Sequence, residues 1–508
     1  MIRVFNKNIK VLVLIAIVAS LLSCNNNVKE NNVLETNVIE TKEIKNDEIV
    51  DRNFEHSGVV TEISSKGDVI TTVKLANEKT KTIEFDSYDL EEDYNIYKAI
   101  NIDLSDKNSV ALNFKNQVNF ENDDLVIKSG GVYVLTGELN NGQIKVIGDF
   151  KDRVEIVLDN VSIKTNKTIA INSLTLAPIC IRLTNGSENY IGIEPDNKEL
   201  KQYAIYANGP LTVVGNGNLS VDEGFLNAIG SVDVLTFISG NYTLFGSVSA
   251  ISAGTCIIIK NGIYNILSGS VALITSSDVS GHIYIEDGEF NIISKGYGVV
   301  ARNEIIFTGG SMRIDSEKTS LKGKSIDIID GTYNIKSMED AIIATDDLIN
   351  DVVNNEVYIR FIGGDTNIDS WYDGLQSFGD IYLEGGKIYI SGPIRHKNNI
   401  ISYKGNIILN GSDMIALGAS DKVQDLGENP GQSYIIVYYK ERYARQKGSA
   451  YQVMDMADNI IMSFTPEKDY RVAIITSDKL QIGNKYVLVS RDRETEIVIN
   501  DKKTLLTE

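Results

Sequence analysis

From Gly217 onward the hydrophobic and polar positions of this chain follow one recurring pattern. The units GNLSVDE, GNYTLFG, GIYNILS, GEFNIIS, GSMRIDS, GTYNIKS and GKIYISG begin at Gly217, Gly240, Gly262, Gly288, Gly310, Gly331 and Gly386, and a further copy follows Gly364. The leading glycines are 23, 22, 26, 22, 21, 33 and 22 residues apart. The second residue after each glycine forms one apolar column, Tyr242, Tyr264, Phe290, Met312 and Tyr333. The fourth forms another, Leu244, Ile266, Ile292, Ile314, Ile335 and Ile368, while Asn265, Asn291, Asn334 and Asn367 alternate with them. A period of two puts both apolar columns on one face of a strand and the asparagines on the other. A lone strand cannot bury such a face, but identical units stacked in register can, at roughly 4.8 Å per step. Two or three short strands per unit of about 22 residues, with no helical period, predict an all-β protein, a parallel β-helix. A leucine-rich solenoid is the competing architecture. No LxxLxLxxN run occurs, and the strands carry Ile, Val and Tyr in place of Leu.

The flanks differ from the repeats. Basic Arg3, Lys7 and Lys10 precede the apolar run VLVLIAIVASLL and then Leu21-Leu22-Ser23-Cys24. This is the order of a secretory signal, and the run is short for a spanning helix. A small residue before Cys resembles the lipobox of bacterial lipoproteins. It implies an exported protein, cleaved before Cys24, whose thiol carries lipid and anchors the chain to a bacterial membrane, at the cell surface or in the periplasm. Residues 1–23 then form the signal peptide and 24–53, rich in Asn, Glu and Lys, a flexible tether. Residues 54–124 read as N-terminal strands or a cap, 125–420 as the β-helix, and 433–500, after the DLGENPGQ break, as a C-terminal β module. Solenoids need covered ends, because an open terminal coil exposes core and unpaired strand. Cys180 and Cys256 each lead an apolar strand and read as small core hydrophobes, neither a disulfide nor a metal pair.

Charge narrows the partners. Sixty-nine acidic against 49 basic residues give a net charge of −20, which disfavours nucleic acid and anionic lipid surfaces and would repel an acidic polymer unless cations mediate the contact.

Several stretches, taken in order, resemble a bacterial family of secreted carbohydrate-binding proteins with a polysaccharide-lyase-like fold. They are DLEEDYN, SGGVYVLTGELNNGQIKV, LDNVSI, the Gly-Gly units ending in Ser, and the tail NIIMSFTPEKDY to KYVLV, together spanning roughly residues 86–490. The resemblance implies a right-handed parallel β-helix, bound calcium, and binding of cellulose-like or acidic polysaccharide without an established catalytic activity. The family's Asp-Asp-Gly-Ile or Asp-Ala-Ile step after the Ser turn persists here as Glu339-Asp340-Ala341-Ile342 and Tyr372-Asp373-Gly374-Leu375. In other units it is replaced by SVSAI, GSVAL, KGYGVV, KTSLKG and KNNIIS.

Those two units carry the candidate chemistry. Asp340 and Asp373 hold equivalent places on successive coils, with Glu339, Asp346, Asp347, Asp365 and Asp369 on the same units. Calcium takes six to eight oxygen ligands, so Glu339, Asp340, Asp346, Asp369 and Asp373 are its candidate ligands. The bland alternative is that they are solvated turn residues capping local N–H groups. Trp371, Tyr372 and Asp373 are the candidate sugar-binding residues, since aromatic faces stack on sugar rings and acids orient hydroxyls. Trp371 packed beneath the 347–357 insertion is the alternative. Arg360, Arg395, His396 and Lys397 are the nearby basic groups, of which Arg395 or Lys397 could serve a lyase as its base, although no spacing marks either. Three functions therefore stand open: a non-catalytic carbohydrate-binding lipoprotein, a calcium-dependent polysaccharide lyase, and a structural or adhesive solenoid.

Overall fold

In a computed structural model of the chain, the described residues are 59–508, apart from 77–78, 92, 196–198, 347–355, 395–397, 420–422, 428–429, 441–444 and 492. They form a right-handed parallel β-helix of about 11 turns, and with 56% of residues in strands and 2% in helix the protein is all-β as expected. Each full coil contributes three strands. In one coil these are Val234–Phe237, Asn241–Gly246 and Ser249–Ala253, which we assign to faces A, B and C. Every strand pairs in parallel with its equivalents on the neighbouring coils, so the columns read from sequence become ladders. Tyr242 lies over Tyr264, Tyr264 over Phe290, and Leu244 over Ile266.

Both apolar columns of face B point inward and are almost wholly buried. The rings of Tyr264 and Phe290 stack at 4.5 Å, and those of Tyr242 and Tyr264 at 4.9 Å. A buried tyrosine must also satisfy its hydroxyl. Here the hydroxyl turns back to the corner three residues earlier: Tyr264 donates to the Asn261 carbonyl at 3.0 Å and Tyr333 to the Asp330 carbonyl at 2.6 Å. The A–B corner itself needs glycine, since Gly240 and Gly331 have φ of 121° and 113°, in a region closed to other residues.

Face A is apolar on both sides, and the N-terminal strands explain why. Val59–Ile63, Val69–Lys74 and Thr80–Phe85 form a three-stranded antiparallel sheet. The sheet lies along the flank of the solenoid, so these residues of the expected 54–124 strands or cap cover a side and not an end. Its Val73, Leu75, Ile83 and Phe85 pack on outward residues of face A, among them Val214, Ile238, Tyr284, Ile306 and Ile329. A short helical turn, Ser87–Leu90, ends this strap. There Arg182 meets Glu155 at 2.6 Å with both side chains at most 3% exposed, and the Tyr88 hydroxyl donates to the same carboxylate at 2.8 Å. Farther along, Lys81 pairs with Glu304 at 3.3 Å and Lys79 with Glu356 at 3.1 Å.

Cys180 and Cys256 are free, but neither points into the solenoid core. Cys180 faces outward beneath the strap, and Cys256 stands half-buried in an outward column aligned with His282. Their strands are apolar on both faces, which is why the sequence could not say which way each thiol points.

The parallel stack ends at Asp413–Gly418, whose next partner, Val472–Thr476, runs antiparallel. The C-terminal module has its own apolar cluster, including Leu417, Val437, Tyr451, Ile475 and Leu488. Its last strand, Lys503–Thr507, extends past the expected boundary at 500 to pair with Tyr434–Tyr438.

Candidate functional site

The two units with surviving acids form successive B–C corners. In each, the last inward residue of face B is a buried serine that fastens the turn. Ser337 donates through Oγ to the Glu339 carbonyl at 2.9 Å, and Ser370 does the same to the Tyr372 carbonyl at 3.0 Å. The corners are laced together by Trp371 N–H to the Ser337 carbonyl at 3.1 Å and Tyr372 N–H to the Glu339 carbonyl at 3.2 Å. Trp371 and Tyr372 therefore sit on a rigid corner, and each remains 36% exposed. Met338, on the coil before, is exposed beside them in the stack.

Asp340 and Asp373 are brought together as their spacing predicts. Asp340 Oδ1 accepts the Asp373 N–H at 2.8 Å. Asp373 is buried; its Oδ1 accepts the Asn399 N–H at 2.8 Å, and its Oδ2 accepts the Ser402 hydroxyl. Each carboxylate thus caps a backbone N–H on the following coil. Burial pushes the Asp340 carboxyl up to about 6, the hydrogen bond from Asp373 N–H opposing it. Burial raises Asp373 as well, against the donors Ser402 and Asn399.

The other expected ligands lie elsewhere. Asp369 points outward from face B and pairs with Lys468 at 2.5 Å, while Asp346 sits past face C, 3.6 Å from Lys324. Asp365 stands at the A–B end of face B, 3.4 Å from Lys387. One coil winds through three corners, so residues a few positions apart in sequence part company around it. Glu339, Asp340, Asp346, Asp369 and Asp373 do not converge, and both oxygens of Asp373 are already hydrogen-bonded. Among the described residues no cluster of three or more His, Cys, Asp or Glu side chains is arranged to hold a metal. The described residues do not fit a calcium ion in this arrangement. Asp347, Arg395, His396 and Lys397 lie outside the described residues, as does Cys24.

One residue of the site had no signal in the repeat pattern. Lys468, from the C-terminal module, bridges Asp369, donates to the Ser370 carbonyl at 2.5 Å, and holds its ammonium 6.0 Å from the Trp371 ring centre. Phe464 of the same module stacks on Tyr389 at 5.3 Å, so this segment walls off the C-terminal end of face B. Burial lowers the Lys468 pKa, and Asp369 opposes that. Arg360 is engaged on face A, with Glu384 at 2.8 Å and the Lys74 carbonyl at 3.0 Å. The corner thus offers an indole and a phenol side by side, a cation over the indole and the buried Asp373 behind, a set suited to holding a polar, ring-shaped ligand.

The model of a family described as "Carbohydrate-binding domain-containing protein" matches residues 121–390 and 308–423, more than half of the chain and all the coils that build this corner. The chain belongs to that carbohydrate-binding domain family. A "Carbohydrate-binding domain-containing protein" of Acetivibrio thermocellus is 30% identical over 127 residues, 24% of this chain and 44% of the relative. The match thus spans less than half of that relative's length. A solved structure, titled as the polysaccharide lyase-like protein from C. thermocellum in its gadolinium derivative, aligns at 19% identity and a TM-score of 0.28, over 62% of this chain and 96% of that one. In this carbohydrate-binding domain the family match covers Trp371 and Tyr372 but not the strap or Lys468.

Proposed function

We propose that this protein is a lipid-anchored, non-catalytic carbohydrate-binding protein that grips polysaccharide at the corner formed by Trp371 and Tyr372. The observation that carries the proposal is the pair of half-exposed aromatic rings held on a rigid corner, within a chain of a carbohydrate-binding family. Aromatic faces contribute apolar area at small entropic cost, while neighbouring polar groups fix the orientation of hydroxyls. Lys468 and Arg360 are both engaged in ion pairs, so neither stands ready as the base of an elimination.

The test is a glycan array probed with the mature protein, with and without chelator. Retention of one or more polysaccharides, unchanged by chelator and without release of unsaturated uronate, is the expected result. Uronate release that requires calcium would establish the lyase instead. A calcium-dependent rise in melting temperature that Asp340→Asn abolishes would restore the calcium site expected from sequence.

The anchor part of the proposal rests on Leu21–Cys24 and the polar tether that follows. Cys24→Ala should release the protein from membranes or leave it unprocessed. Unchanged membrane recovery would count against a lipid at Cys24.

A further inference from the structure

Face B is a flat sheet surface that no other described part of the protein covers between Asn241 and Lys336. The strap occupies face A, and the C-terminal module reaches face B only at Asp369 and beyond. On two successive coils the outward positions read Ile263-Asn265-Leu267 and Glu289-Asn291-Ile293, with Phe245 before Leu267 and Asp315 and Lys336 after Ile293 in the same column. Ile263, Leu267 and Ile293 are 43%, 39% and 50% exposed, and Asn265 and Asn291 stand between them in register. The asparagine side chains at 265, 291 and 334 have no hydrogen-bond partner among the described residues, which leaves their donors and acceptors turned to solvent. The charges on this surface cancel: Glu289 and Asp315 against Arg313 and Lys336. On a chain of net charge −20, this strip is neutral.

We infer that face B from Asn241 to Lys336 is a second carbohydrate contact, a track for an extended, neutral, hydroxyl-rich polysaccharide running along the solenoid axis toward Trp371. This rests on the polysaccharide-binding reading above and deepens it by choosing a neutral over an acidic ligand. Coils repeat at roughly 4.8 Å, so a polymer of identical units meets Asn265 and Leu267 on one coil and Asn291 and Ile293 on the next. Aliphatic side chains accept the apolar faces of sugar rings, and free amides both donate to and accept from hydroxyls. An acidic polymer would gain nothing from a neutral strip and would be repelled by the rest of the chain.

The experiment compares the wild type, Leu267→Asp with Ile293→Asp, and Asn265→Ala with Asn291→Ala, in binding to swollen cellulose and to polygalacturonate. All four substituted side chains point away from the core, so melting temperatures should match and serve as the folding control. The expected result is cellulose binding by the wild type, weakened at least tenfold in both double variants, with polygalacturonate bound less well. Equal binding by wild type and both variants would overturn the track while leaving the Trp371 corner standing. A preference for polygalacturonate would overturn the neutral ligand. No binding to any polysaccharide would overturn both readings. Self-association of the wild type that the Asp variants abolish, without glycan binding, would assign the face to a second copy of the chain.

Discussion

The strap is held to the solenoid at a buried ion pair between two face A residues, which reach it through the Tyr88 hydroxyl and the Glu91 carbonyl, and that contact gives a sharp energetic prediction. Glu155 and Arg182 lie 2.6 Å apart with side chains 1% and 3% exposed, and Arg182 also donates to the Glu91 carbonyl at 2.7 Å. In Arg182→Met the carboxylate keeps the Tyr88 hydroxyl but loses its cation in a site that water hardly reaches. Breaking a buried pair from one side costs about 3–5 kcal/mol, because the remaining charge is left uncompensated. Replacing both charges with apolar groups of similar size is often neutral, so Glu155→Met with Arg182→Met should recover to within about 2 kcal/mol of the wild type. Hydrogen exchange reads this locally. At about 1.36 kcal/mol per tenfold change, amides of Val69–Lys74 and Thr80–Phe85 should exchange about 100- to 5,000-fold faster in Arg182→Met. Coils distant from the strap should keep their protection. Equal protection in wild type and single variant would refute the contact's hold on the strap. A double variant as labile as the single would refute the reasoning about the lone charge.

Two further predictions concern buried groups. Asp327 is wholly buried beside Tyr358 and Arg360, and burial pushes its carboxyl up to about 7. A folded-state value above the unfolded one means the native state holds the proton longer, so stability is greatest below about pH 4 for this group and falls as pH rises through about 7. Asp340 adds the same sense of slope up to about 6. Urea midpoints of Asp327→Asn should therefore depend less steeply on pH between about 4 and 7, and an unchanged slope would remove the assignment. The two thiols should differ in rate of labelling: Cys256, half-buried, should react with a maleimide in the native state before Cys180, which lies under the strap. In Arg182→Met that order should narrow; faster labelling of Cys180 in the wild type would mean that the strap is open.

The inward ladders were legible because period-two alternation and the glycine-led unit report the same thing twice. Tyr264, Phe290 and Ile266 could be placed in the core from sequence, and they are there. The contact between Asp340 and Asp373 was legible for the same reason, since equivalent positions of consecutive units stack. The strap's resting place was half-legible. Runs such as CIII, HIYI and EIIF are apolar at successive positions, the signature of strands covered on both faces, but the run does not say by what. The parting of Asp369 and Asp346 was hidden because it depends on where each corner falls within the coil. Lys468 was hidden because a cation delivered from another module leaves no trace in the repeat.

Trp371 is the chain's single tryptophan, so its emission reports the proposed corner and nothing else. Titrating the protein with a polysaccharide that it retains on the array should shift or quench that emission, saturating at the concentration where binding saturates. Trp371→Ala should weaken the same binding by about tenfold or more, the size expected of an aromatic anchor. Polysaccharide binding measured by sedimentation, with Trp371 emission unmoved and the affinity of Trp371→Ala unchanged, would contradict the account.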